Sequence, residues 1–324
     1  MNVVFVANEA YAPQLGASMC SVLYNNRAEE DLSIYVISAG LLVKSLESLQ
    51  VLCASYGREL TVLDLGDISK KMDLSNSAFL KKFDASILGR FFLCDLIPAD
   101  VDKVLYLDCD TITTSSLHDL YNELPDSDYI MAAVMEPTIY KTTKEMLGLG
   151  PDTPYFNSGV LLVDMNRWRE FEGDRKMAEC FAEISDTSVF ADQDVLNRLL
   201  IKHIKFVSPK YNFNTNYKYY KWKTLTDMSP SYKAFSEQEF ENAKESPVII
   251  HYAGDEKPWI KGNLNPYKGE YTKYLSMTDW KDTPLKEGKG SFMFMYHAMN
   301  MATKACPPAR KAISKLYEKK LYKK

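Results

Sequence analysis

Asp108 and Asp110 are the residues whose type and spacing point most directly to chemistry, since they end the apolar run Val104-Leu105-Tyr106-Leu107 with Cys109 between them. Such a run of β-branched, aromatic and aliphatic residues suits a strand covered on both faces. Ligands of open α/β sheets gather beyond the carboxyl ends of these strands. Side chains at i and i+2 of an extended segment point to one side, so the two carboxylates repel each other unless a cation lies between them. Hard oxygen ligands suit Mg2+ or Mn2+, ions that commonly serve a phosphate-bearing substrate. The alternative is a strand end with two solvated turn aspartates.

Other chemistry-bearing groups fall where further strands end. Val3 to Val6 reads as a strand, and Ala7-Asn8-Glu9-Ala10-Tyr11 leaves its carboxyl end with Asn8 and Tyr11 placed to touch a ligand. That turn has no GxGxxG, the pattern that brings backbone N–H groups onto a pyrophosphate. Phosphate charge must then be met by another device, and a metal at Asp108 and Asp110 would serve. Arg90, amid Leu88, Phe91, Phe92 and Leu93, either has an anionic partner or snorkels at a helix surface. Glu136 follows the strand Tyr129 to Val134. In Tyr155-Phe156-Asn157-Ser158-Gly159 the amide of Asn157 both donates and accepts, and Gly159 permits close backbone approach. Asp192-Gln193-Asp194 opens a helix, where aspartate is ordinarily a cap or dipole partner. His251 follows the strand Pro247 to Ile250, with Lys257 six residues on in a Gly/Pro loop. A histidine there is commonly structural, yet an imidazole for the metal and an ammonium for a phosphate would complete the site.

The elements that must position these groups alternate. Helices are expected at Leu15 to Tyr24, Leu41 to Tyr56, Ser86 to Ile97, Leu117 to Leu124, Met165 to Ile184 and Val195 to Ile201, and further strands at Leu32 to Ser38, Leu60 to Leu65 and Val160 to Asp164. This βαβα order implies an α/β fold. Asp73 to Asp84 interrupts it as a lid or a plain surface loop. The rings between Tyr211 and Trp222 suit either sugar stacking or core packing.

With 324 residues, 46% of them hydrophobic, the chain can bury one main domain with appendages. Residues 1–280 are taken as the catalytic domain and 281–324 as a helical, basic segment. Arg310, Lys311, Lys315, Lys319, Lys320, Lys323 and Lys324 lie there among Ile313, Leu316, Tyr317 and Leu321, a composition that fits an anionic membrane surface. A formal net charge of -4 gives no electrostatic case for nucleic acid. The start lacks a basic n-region with an apolar stretch behind it, and no run approaches the ~20 apolar residues of a spanning helix. A cytoplasmic chain, peripheral at the inner face of the membrane, is expected. Six scattered cysteines without CxxC match reduced thiols and do not suggest zinc.

Taken together, Leu105-Tyr106-Leu107-Asp108-Cys109-Asp110, Tyr155-Phe156-Asn157-Ser158-Gly159-Val160, Asp192-Gln193-Asp194 and His251-Tyr252-Ala253-Gly254 with Lys257-Pro258-Trp259 resemble glycosyltransferase family 8, from residue 1 to about Trp259. The resemblance implies a GT-A fold, a Rossmann-like mixed sheet flanked by helices, and retaining transfer of a hexose from a UDP-sugar to a glycan or glycolipid. It further implies Mn2+, or Mg2+ in its place, held by Asp108, Asp110 and His251. Ala7, Asn8 and Tyr11 would lie at the uridine, Arg90 and Asn157 at the donor sugar and its neighbouring carboxylates, and Gly254 and Lys257 at the diphosphate. Asp192 would bind donor hydroxyls, Gln193 would lie beneath the anomeric carbon, and Glu136 is a candidate contact for acceptor or sugar. The sequence departs from the family at Asn8, where the bacterial galactosyltransferases have aspartate, and at Ala10, where they have asparagine. An amide such as Gln193 is a poor nucleophile, which favours a front-face reaction over double displacement.

Two other classes fit parts of the pattern. Asp108-Cys109-Asp110-Thr111 reads as a phosphatase motif of the haloacid dehalogenase type with Asp108 as nucleophile, but those enzymes carry it on their first strand. A non-catalytic carbohydrate-binding module would use the ring-rich stretch, yet leaves the metal and diphosphate residues without purpose.

Overall fold

The computed structural model describes residues 1–66, 85–124, 128–185 and 187–322, so the segment Asp73 to Asp84 lies outside the described residues. Seven strands form the main sheet: β1 (Asn2–Ala7), β2 (Ser33–Ser38), β3 (Leu60–Asp64), β4 (Lys103–Leu107), β6 (Met131–Met135), β7 (Phe156–Asp164) and β8 (Ile204–Phe206), ordered β3-β2-β1-β4-β7-β6-β8. β7 runs antiparallel to both neighbours, while the other pairings are parallel. The α/β fold expected from the alternation and the mixed sheet that the resemblance implies are both present. A smaller sheet joins β5 (Thr111–Thr113), β10 (Ile249–His251) and β9 (Phe213–Asn214) in that order.

Alternate residues of one strand serve opposite layers. Val3 and Phe5 of β1 pack with Leu15 and Met19 of α1 (Ala12–Asn25) and Leu49 of α2 (Val43–Ser55). Val4 and Val6 pack on the other face with Phe181 of α3 (Gly173–Ile184) and Val195 of α4 (Asp192–Leu200). Burial on both faces is what the unbroken apolar runs require.

Several expected elements differ in detail. The stretch expected as one helix from Met165 to Ile184 is two, Met165–Glu170 and α3. The break is steric, since a Cβ at Gly173 would lie 2.0 Å from the Trp168 ring and Glu172 adopts a left-handed φ of 55°. Ser86 to Ile97 is not one α-helix but a 3-10 segment, Ala85–Phe92, followed by a single turn, Leu93–Leu96. Gly89 presses so close to β1 that a Cβ would fall 2.6 Å from Val6 Cγ1. The rings of Tyr211, Phe213, Tyr217 and Tyr220 are buried, and the last three pack with Tyr232 and Phe240 in a cluster of their own. That stretch is chiefly core.

After residue 280 the chain forms α5 (Gly290–Ala305) and α6 (Pro307–Leu321), packed on each other. α6 also reaches the body of the protein, where Glu318 accepts from the backbone and hydroxyl of Thr142 at 3.3 and 2.9 Å, and Tyr322 hydrogen-bonds Thr143. Among the described residues no helix is long and apolar enough to cross a membrane.

Candidate active site

β4 ends at Leu107, and the chain turns at once into β5. The Thr111 N–H and hydroxyl both donate to the Asp108 carbonyl, at 3.2 and 2.8 Å. Asp108 and Asp110 are thus gathered by a turn between two sheets rather than by the alternation of one extended strand. β10 then pairs with β5 so that His251 lies opposite Thr111. One ligand atom each from Asp108, Asp110 and His251 falls within 4.8 Å of the others. His251 Nε2 stands 3.2 Å from Asp110 Oδ1 and 3.8 Å from Asp108 Oδ2.

The tautomer of His251 follows from a chain of amides. The Gly159 backbone N–H donates to Asn157 Oδ1 at 2.9 Å, which fixes how that amide faces. Asn157 Oδ1 also accepts from Asn212 Nδ2 at 2.8 Å, so Asn212 Oδ1 is the atom 2.8 Å from His251 Nδ1. A carbonyl oxygen only accepts, so Nδ1 carries the proton and Nε2 turns a lone pair toward the two carboxylates. Three acceptors converging in this way fit a divalent cation. Gly159 leaves the room: a Cβ there would lie 2.2 Å from His251 Cε1 and 2.8 Å from Asp108 Oδ2.

The same amide chain runs on to Gln193. Asn157 Nδ2 donates to Gln193 Oε1 at 3.0 Å, as does the Ser158 N–H at 3.1 Å, and Gln193 Nε2 donates to the Tyr155 hydroxyl at 3.3 Å. Tyr155 in turn donates to Asp194 at 2.7 Å, whose other oxygen accepts from Ser188 and the N–H groups of Val189 and Phe190. Ala191, just before α4, holds a φ of 52° that a Cβ disfavours. This strained turn sets the first residues of α4 against the strand ends.

Charge is distributed around the triad in pairs. Lys257 is ion-paired with Asp110 and donates to the Tyr252 carbonyl at 2.7 Å. Burial alone would raise the Asp110 carboxyl, but the Lys257 ammonium outweighs it and the group is held below the usual carboxylate range. Arg90 is buried, not a snorkelling surface residue: it bonds Asp108 at 2.8 Å, the Tyr106 hydroxyl at 2.9 Å and the Ser158 carbonyl at 3.0 Å, and pairs with Asp192 at 2.7 Å. Burial pushes Asp192 up to about 6, against the pull of Arg90 and with the help of Asp108.

A cavity of about 500 Å3 adjoins these groups, lined by Asp108, Asp110, Asn157, Gln193, His251 and Gly254, and by Glu136. Glu136 is itself held by Asn214 at 2.8 Å and by Tyr217 and Thr138. Neither Asp192 nor Arg90 lines the cavity; the two form a buried pair beside Asp108, which does. Ala7, Asn8 and Tyr11 sit at the end of β1, where Tyr11 meets Trp259 edge-on with ring centroids 6.4 Å apart. Sequence reasoning missed Asn212, and it gave Tyr155 and Asp194 no role in the site beyond their place in the motifs. The signal for Asn212 was weak: Asn212 and Asn214 alternate with buried rings at the start of the ring-rich stretch.

Residues 2–262 match the family model described as glycosyl transferase family 8. Among curated proteins, the chain is 28% identical over 283 residues to general stress protein A of Bacillus subtilis, covering 86% of this chain and 94% of that protein. It is 25% identical to a lipopolysaccharide 1,3-galactosyltransferase of Salmonella typhimurium, covering 93% and 85% of the two chains. Against a lipopolysaccharide 1,2-glucosyltransferase of Escherichia coli it is 24% identical, with 91% and 83% covered. Among solved structures, the galactosyltransferase LgtC in complex with donor and acceptor sugar analogs superposes with a TM-score of 0.72 at 22% identity, over 86% of this chain and 96% of that one. The GT-A fold is shared.

Proposed function

This chain belongs to glycosyl transferase family 8, and from that premise we propose that it moves a hexose, glucose or galactose, from a UDP-sugar to a glycan acceptor such as a cell-surface polysaccharide or lipopolysaccharide, with retention at the anomeric carbon. The observation that carries this reading is the convergence of Asp108, Asp110 and His251 beside Lys257 and a cavity walled by Gln193. Carboxylate oxygens with one imidazole nitrogen suit Mn2+, and Mg2+ less well because it favours oxygen. When bound, the ion supplies Lewis-acid stabilisation of the charge that gathers on the departing diphosphate.

The chain's own residues do the rest. Asn8 and Tyr11, with the backbone at Ala7, face the uracil, and Lys257 sets an ammonium beside the diphosphate. Its proton is secure: burial opposes the charge, but Asp110 outweighs it and raises the lysine above its usual value. Gly254 brings backbone near the phosphates with no side chain in the way. Arg90 holds Asp192 and, with Asn157, orients the donor sugar. Gln193 is clamped through its oxygen by Ser158 and Asn157, so it supports the oxocarbenium-like carbon rather than attacking it. The acceptor hydroxyl then enters on the face that UDP leaves, its oxygen bonding to the anomeric carbon while its proton passes to a phosphate oxygen. Glu136, held by Asn214, Thr138 and Tyr217, is placed to orient the acceptor.

The helical end contributes location. Phe294, Met295, Met301, Leu316 and Tyr317 are exposed on α5 and α6 near Lys304, Lys315 and Lys319, which supports reversible contact with an anionic leaflet at about 1 kcal/mol per cation. Sedimentation with anionic vesicles at low and high salt checks this. The central reading is tested by UDP release from a panel of UDP-sugars with Mn2+ and with EDTA. One UDP-hexose should be hydrolysed preferentially and only with metal; no metal-dependent release from any of them would overturn the proposal.

A further inference from the structure

The cavity beside the triad has a second wall, built by the end of the chain, that the chemistry above does not use. Tyr296 of α5 and Arg310 and Ser314 of α6 line the same space as Asp108, His251 and Gln193. Arg310 is half-buried; it donates through Nε to the Tyr220 hydroxyl and through Nη1 to the Met299 sulfur. Among the described residues it makes no ion pair. The other cations of the site are neutralised, Arg90 by Asp108 and Asp192 and Lys257 by Asp110. Glu136, which also lines the cavity, accepts from Asn214, Tyr217 and Thr138 and makes no ion pair with Arg310 among the described residues. Tyr220 fixes how the fork of Arg310 faces, and the Thr142–Glu318 bonds tie α6 to the body.

An unneutralised guanidinium in a cavity wall favours an anion, and its geometry matches a carboxylate or a phosphate. Of the residues assigned above to uridine and diphosphate, Gly254 lines this space with the metal ligands, whereas Ala7, Asn8, Tyr11 and Lys257 do not. A bound metal and Lys257 answer the diphosphate's charge, which leaves Arg310 for another anion. What remains on the Gln193 side is room for the acceptor. Resting on the hexosyltransferase reading, we propose that this wall is an acceptor subsite for an anionic glycan. Arg310 pairs with a carboxylate or phosphate carried next to the receiving sugar, and the half-buried Tyr140 and Tyr296 supply aromatic surface for the sugar itself.

The test measures binding of methyl β-D-glucopyranoside, methyl β-D-glucuronide and the 6-phosphate of the first glycoside, by ligand-observed NMR, to the full chain saturated with UDP and Mg2+. At least one charged glycoside should bind about tenfold or more tightly than the neutral one, the scale of one charge-assisted hydrogen bond. Which of the two is favoured separates carboxylate from phosphate. Arg310→Gln should bring charged and neutral ligands within about twofold, and Arg310→Lys should keep part of the preference because charge remains and the fork is lost. Equal binding by the unmodified chain, or a preference that survives Arg310→Gln, overturns the proposal. So does an Arg310→Gln variant that weakens UDP and leaves the glycosides alone, which would assign the arginine to the donor. If Arg310→Gln does not fold, Arg310→Lys and the loss of the charged preference as salt rises decide in its place. Failure of the hexosyltransferase reading is seen separately, as absence of metal-dependent UDP-hexose hydrolysis without any acceptor.

Discussion

Gly159→Ala adds one methyl group to β7 and should damage the site far more than the fold. The position is not in the left-handed region, so alanine meets no backbone strain. Its carbonyl still accepts from the Asp108 N–H, at 2.8 Å. The new Cβ, however, would lie 2.2 Å from His251 Cε1, 2.9 Å from Nδ1 and 2.8 Å from Asp108 Oδ2. Carbon atoms rest at about 3.5 Å or more, so an imidazole at 2.2 Å must retreat by the difference, about 1.3 Å. Metal–ligand distances hold to about 0.2 Å. The same retreat breaks the 2.8 Å bond from Nδ1 to Asn212. A misplacement near 1 Å costs on the order of 100-fold, and overpacking lowers stability by about 1–3 kcal/mol. We therefore expect UDP-hexose hydrolysis to lose about 100-fold in kcat/KM, with a raised Mn2+ requirement and a cooperative melt. The assay is UDP release across a Mn2+ titration, with melting followed in parallel. Gly254→Ala is the contrast: nothing lies near its Cβ, but its φ is 76°, so it should cost about 1–2 kcal/mol through backbone conformation. Near-normal turnover and metal requirement in Gly159→Ala would refute the idea that Asp108 and His251 act from these positions.

Asn212→Ala removes the acceptor that sets the His251 tautomer and the donor to Asn157, so Mn2+ affinity, read by titration, should fall about 10–100-fold; affinity within twofold would make the amide chain incidental. Gln193→Ala should lower kcat while leaving measurable turnover, whereas complete loss with a glycosyl adduct on Asp192 or Glu136, seen by mass spectrometry, would indicate double displacement. Burial pushes Glu256 up to about 7 from an ordinary 4.5, so folding holds a proton that the unfolded chain releases. The resulting stabilisation is complete below 4.5 and is lost as pH rises through about 7. Glu256→Gln should melt above the unmodified protein at pH 8 and lose that advantage at pH 5, and a gap independent of pH would contradict this.

The alternating strands and helices, the apolar run ending at Asp108 and the family motifs were legible because each depends on residues a few positions apart. Period, propensity and turn chemistry are local quantities, and β1, β2, β4 and β7 lie close to where their apolar runs place them. The ring-rich stretch could not be resolved this way, since a tyrosine suits a core or a sugar equally well until its neighbours are known; Tyr217 packs against Phe213 inside the protein. Length of a helical period misled for the same reason at Met165 to Ile184, where the ring of Trp168 claims the space that a side chain at Gly173 would need. The site itself was decided in three dimensions. His251 meets Asp110 because β10 pairs with β5, and Asn212 reaches His251 across 39 positions. Arg310 enters the cavity wall only because α6 folds back onto Thr142 and Tyr220. Such contacts follow from strand pairing and packing between segments far apart in the chain, and no local pattern carries them.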